Sequence, residues 1–182
     1  MNRLFRPLQL ACALTVATAS FVAAPASAQT SAAPATLQTS LAADMDNLST
    51  KFAGLARVMA GKYDWKPGTG VRSVGEVLNL IVNENRMLVT VLTGAPAATG
   101  PQPAPITDAA AMQTALTSSA ASARQAIAGL SAADLGTSVK LFGRDMTKQA
   151  AVLLLLMDQH EHLGQSIAYA RSNNVVPPWS KQ

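Results

Sequence analysis

The sequence predicts an all-α protein, an up-down four-helix bundle with a long loop between its second and third helices. Three observations predict it. Alanine and leucine dominate a chain that is only 4% aromatic. β-branched residues do not alternate with polar ones over any useful length, so no ordinary strand is indicated. Four stretches repeat apolar residues every three or four positions, and Gly- and Pro-rich segments separate them.

Ahead of these stretches, residues 1–28 read as a secretory signal peptide. Arg3 and Arg6 precede an apolar run, and Ala26, Ser27 and Ala28 make an A-x-A cleavage signal. The mature chain is expected to begin near Gln29, in the periplasm or outside a bacterial cell. The rival is a membrane anchor, but Thr15, Thr18 and Ser20 interrupt the run, which falls short of the roughly 20 apolar residues a span needs. No membrane span is expected once the signal is removed. Cys12, the one cysteine, lies within this segment, with Gln9 where a lipid-attachment motif needs an aliphatic residue. The mature protein is therefore expected to carry neither thiol nor disulfide and to rest on its core alone.

Residues 29–36 form a flexible Ser/Thr/Ala/Pro tail, and residues 37–182 the helical domain. Leu37, Leu41, Met45, Leu48, Phe52, Leu55 and Val58 make one apolar stripe of a long first helix, which Gly61 closes. The Pro/Gly loop "YDWKPGTGVR" follows. Ser73, with Glu76 three residues on, makes a capping box for a second helix that carries Val74, Val77, Leu78, Ile81, Leu88 and Leu92 and ends at Gly94. "GAPAATGPQPAP" is then a long loop, the crossover between two pairs of helices. Thr107 and Asp108 start a third helix, mostly of small residues, that ends at Gly129. "LSAADLGTSVKLFGRD" bends back into a fourth helix from about Asp145 or Met146 to Asn173. Pro177 and Pro178 stop it. Four helices with one long connection make a four-helix bundle.

Charge excludes several functions. Without Arg3 and Arg6 the net charge of +4 falls to +2, and only 13% of residues are charged. No basic stripe for nucleic acid and no polybasic membrane patch is present. No Cys/His or Ser/His/Asp pairing has a supporting context, and no phosphate loop, CxxC or haem motif exists. Trp65 and Trp179 sit beside prolines in loops, as packing plugs.

What remains is "MDQHEHLGQ", residues 157–165, which holds both histidines of the chain. On a 3.6-residue period Thr147, Ala150, Leu154, Asp158, Glu161, His162, Gln165, Ala168 and Tyr169 share one side of the fourth helix. That stripe turns polar after Leu154. If it faces the core, its carboxylates and imidazole must be paired, hydrated or bound to something, since burying them alone costs several kcal/mol. Glu84 interrupts the second helix on its inward side. A pocket lined by Glu84, Asp158, Glu161, His162 and Gln165 is one expectation. Pairing of the carboxylates with Arg86 or Arg171 in a solvated rim is the other. His160 points about 120° away from the Leu154 line and reads as a surface histidine.

"YDWKPGTGVRSVGEVLNLIVNEN" and "HEHLGQSIAYARSNNVVPP" resemble the DinB superfamily in its exported branch, over about Phe52 to Ser180. The resemblance implies a four-helix bundle and a divalent metal held by three histidines, one on the second helix and two spaced i,i+4 on the last. It implies kinship with bacillithiol transferases and mycothiol-dependent maleylpyruvate isomerase, and it admits a homodimer. This chain departs from the pattern: Leu80 stands at the second-helix histidine and Asp158 at the first histidine of the last helix, so only His162 survives. Asp158 can still coordinate zinc, nickel or manganese, and with His162 it keeps the i,i+4 spacing. Leu80 cannot.

Two expectations follow. One is an exported metal-dependent hydrolase or transferase with an altered site, Asp158 and His162 as ligands, Glu84 or Glu161 as third ligand or general base, and Gln165 in the pocket. The other is a non-catalytic periplasmic binding or structural module that has lost the metal and has no cofactor. The small-molecule ligand or substrate is not legible.

Overall fold

The computed structural model describes residues 36–96, 100, 101 and 103–180. The expected signal peptide, and the tail up to residue 35, lie outside the described residues. Four long helices carry the fold: α1 (Leu37–Val58), α2 (Val74–Thr93), α3 (Ala109–Ala128) and, after a single turn α4 (Ala132–Leu135) and a hairpin β1 (Ser138–Leu141) and β2 (Arg144–Thr147), α5 (Lys148–Ser172).

Local chemistry sets each boundary. Thr36, Ser73, Asp108 and Thr147 each cap a long helix by accepting a hydrogen bond from an amide three residues on. At Ser73 the capping box is complete: the Ser73 amide donates to Glu76 Oε2 at 2.6 Å, and the Glu76 amide donates to Ser73 Oγ at 3.3 Å. Gly94 ends α2 in the left-handed region, φ 70°.

The protein is mostly helical, with one departure from the all-α expectation. Where a simple bend was expected, β1 and β2 pair antiparallel, Val139 opposite Met146 and Leu141 opposite Arg144. Phe142 and Gly143 turn the hairpin with φ 49° and 76°, the two positive angles of a primed two-residue turn. Four residues per strand give too short a pattern to read as alternation. The hairpin occupies Asp145 and Met146, so α5 starts later than expected, behind its Thr147 cap.

Polar contacts give the helix directions. Asn79, near the start of α2, exchanges hydrogen bonds with Ile106 just ahead of α3, and Asn85 reaches Ser119 at the middle of both helices. The two helices therefore run the same way. Tyr169, late in α5, bonds Arg72 ahead of α2, so α2 and α5 run oppositely. Both α1 and α2 pack on α3 and α5. Met45, Leu48, Phe52, Leu78, Ile81, Leu88, Met112, Leu116 and Ile127 fill the space between them, each at most 1% exposed.

The core-facing line of α5 differs by about one position from the expected stripe. Val152, Leu155, Gln159, Leu163, Ser166 and Ala170 are buried, whereas Thr147, Ala150, Glu161 and Ala168 are exposed. Leu153–Leu156 is an unbroken leucine run, so hydrophobicity alone leaves the phase of the helix undetermined. Asp158, His162 and Gln165 consequently lie half-buried at the edge of the core.

Candidate metal centre

Glu84 is the anomaly of α2. It sits on the same face as Val77, Ile81 and Leu88, so the apolar spacing that buries those residues buries the carboxyl too, to 4% exposure. Among the described residues its Oε2 has no hydrogen-bond partner. Burial, then hydrogen bonding to Asp158 and that residue's charge, push its pKa up to about 8, against the opposing charge of Arg72. A solvated glutamic acid has no such preference for its proton.

Asp158 and His162 come from α5, one turn apart. One ligand-type atom from each of Glu84, Asp158 and His162 lies within 4.8 Å of the other two. His162 Nε2 is 3.6 Å from Asp158 Oδ2, close to the roughly 3.4 Å between two donors each about 2.1 Å from a tetrahedral ion.

A chain of hydrogen bonds fixes which nitrogen of His162 faces this cluster. The carbonyl of Arg72 can only accept, so the Tyr169 hydroxyl donates to it, at 3.1 Å. That hydroxyl then accepts from Gln165 Nε2 at 2.7 Å. Gln165 Oε1 is thereby turned toward His162 Nδ1, 2.9 Å away, and an amide oxygen can only accept. Nδ1 carries the hydrogen, and in the neutral ring the lone pair lies on Nε2, facing Asp158. Ligating histidines are typically oriented in this way. Trp65 packs edge-on against Tyr169, ring centres 5.3 Å apart, and holds the far end of the chain.

The donor set therefore fits a divalent ion: two carboxylates, one of them buried with an orphan oxygen, and an imidazole nitrogen with its lone pair directed at them. The other expected residues are placed differently. Glu161 is exposed and stands outside the cluster. Leu80 lines a neighbouring cleft. Among the described residues neither Arg86 nor Arg171 pairs with Glu84 or Asp158; Arg86 lines a separate cleft with Ser118, Ser119 and Ser122, and Arg171 another with Asn174 and Val175. His160 is on the surface, its Nε2 2.8 Å from Asp44 of α1.

Sequence reasoning passed over two features. One is Arg72, which lines both clefts at the site: one of about 550 Å³ with Gly70, Val71, Glu76, His162 and Gln165, and one of about 310 Å³ that includes Leu80 and Ile106. The "VRS" ahead of the capping box was the available signal. The other is a buried amide relay beside the cluster, in which Gln159 Nε2 donates to Asn85 Oδ1 at 2.9 Å and Asn85 Nδ2 donates to Ser119 Oγ at 3.2 Å.

No curated protein matches the chain. Two crystal structures are similar in fold: a DinB-like protein from Bacillus subtilis, at 16% identity over 79% of this chain and 98% of that one with a TM-score of 0.63, and a DinB-like protein from Bacillus cereus ATCC 10987, at 17% identity over 78% and 95% with a TM-score of 0.64. The model of the DinB superfamily matches residues 50–166, a stretch that contains Glu84, Asp158, His162 and Gln165. With well over half of its length matched, this chain belongs to the DinB superfamily.

Proposed function

We propose that the protein is exported and binds a divalent ion, zinc, nickel or manganese, through Glu84, Asp158 and His162, as a metal-dependent hydrolase or transferase acting on a small molecule. The observation that carries this reading is the buried, unpartnered Glu84 Oε2 beside Asp158 and the Nε2 lone pair of His162. A buried carboxyl oxygen without a partner is costly, and a cation offsets that cost. Glu84 stands one helical turn beyond Leu80, so it brings an oxygen to the face where Leu80 offers no donor. A divalent ion held there supplies a Lewis acid next to the cleft. Gln165 and Tyr169 hold the His162 ring, and Arg72 faces whatever enters. Export is supported by Arg3 and Arg6 ahead of an apolar run and by the Ala26-Ser27-Ala28 cleavage signal.

Leu80 favours a second reading, a periplasmic binding or structural module that keeps the fold without the metal. Elemental analysis of untagged protein from a periplasmic fraction, sequenced at its N-terminus, separates the two. The first reading expects a chain starting near Gln29, with near-stoichiometric metal that His162→Ala abolishes while the helical content is retained. No zinc, nickel or manganese binding tighter than about 10 µM would decide for the second.

A further inference from the structure

We propose that the cleft beside His162 takes a small molecule through an anionic group, a carboxylate, seated on the guanidinium of Arg72. This rests on the metal reading above and adds the class of ligand. At about 550 Å³ the cleft has the volume of a small-molecule site. Among the described residues Arg72 is the one Lys or Arg lining it, and no carboxylate there forms an ion pair with it.

The nearby acids leave that cation available. Glu76 directs Oε2 to the Ser73 amide at 2.6 Å and also feels Lys66. Glu84 and Asp158 face the metal position. Space is available too: beyond Gly70 and its two chain neighbours, no atom lies within 4 Å of the position a Cβ would take on Gly70. The hydrogen-bond chain that sets the His162 tautomer ends on the carbonyl of Arg72 itself, so the cation and the imidazole are tied into one frame. A ligand with one end at the metal position and a carboxylate at the other would be gripped at two points, and guanidinium is suited to planar, two-oxygen recognition.

The test compares two hydroxamates by calorimetry on the zinc-loaded full mature chain. Acetohydroxamate offers the metal-binding group alone; succinic acid monohydroxamate adds a carboxylate. The wild type should bind the second about tenfold tighter, the effect of one charge-assisted contact. Arg72→Gln should erase that preference and Arg72→Lys should keep part of it, with acetohydroxamate binding all three proteins alike, which also reports that the variants are folded. Equal affinity of the two probes for the wild type, or a preference that survives Arg72→Gln, would overturn the proposal. Failure of the same samples to take up zinc would overturn the metal reading and this inference together, whereas zinc-loaded protein without the preference overturns this inference alone.

Discussion

α1 and α5 are two long helices of one bundle with opposite interiors. The buried side of α1 is apolar throughout, from Leu41 to Ala56. That of α5 mixes Val152 and Leu155 with Gln159 and Ser166, and it faces an α2 that buries Glu84 and Asn85. The first arrangement only needs to fill space. The second places amides, carboxyls and an imidazole where water is scarce, each of which must find a partner. Most do so through the two relays. Glu84 Oε2 and Gln159 Oε1 do not, and sites that violate local rules in this way are where function is expected.

The largest contrast should come from the α1 side. Phe52 is 1% exposed, and Phe52→Ala should lower unfolding stability by about 3–5 kcal/mol, measured in urea, while zinc affinity of the still-folded fraction stays the same. A loss of affinity as large as the loss of stability would mean that the two sides are not separable.

Glu84→Gln should do the reverse. The folded-state pKa of Glu84 is raised from 4.5 to about 8, so the folded protein holds this proton more tightly than the unfolded chain. The resulting stability is fully present below about pH 4.5, falls as pH rises, and is lost above about pH 8. Metal-free wild type should therefore weaken between pH 5 and 9. The Gln variant, neutral throughout, should show a flatter profile and exceed the wild type at pH 9 by a few kcal/mol, while losing its metal affinity. Parallel urea profiles for the two proteins would show that Glu84 does not hold its proton in the fold.

The same contrast governs what the sequence could disclose. Helices α1 to α3 were legible because apolar spacing and end signals agreed: Ser73 with Glu76, Asp108, Gly94. α5 was legible as a helix but not in its phase, because Leu153–Leu156 places leucine on every side. A 3.6-residue period alone therefore places Glu161, which is exposed, in the polar stripe and leaves out Gln159, which is buried. Glu84 was legible from its spacing against Val77 and Leu88. Arg72 was visible as the Arg of "VRS" ahead of the capping box, but its place in the site was not, since that depends on a long-range bond from Tyr169 to its backbone carbonyl. The hairpin was lost to the shortness of its strands.

Gln165 gives the finest resolution of the comparison, because it touches the candidate ligand without being one. It is half-buried, and its contacts are one bond to His162 Nδ1 and one to the Tyr169 hydroxyl. Gln165→Ala leaves Nδ1 to water, so the ring is free to rotate and to move its proton to the other nitrogen. Zinc affinity should drop about 10- to 100-fold, the usual effect of removing the group that orients a ligating histidine. Unfolding stability should change by less than about 1 kcal/mol, since a half-buried side chain leaves little cavity. Gln165→Glu separates orientation from mere bulk: its carboxylate still accepts from Nδ1, so it should recover most of the affinity that Ala loses. Equal losses in the two variants would mean that the amide group holds the Tyr169 end of the chain and that His162 orients itself.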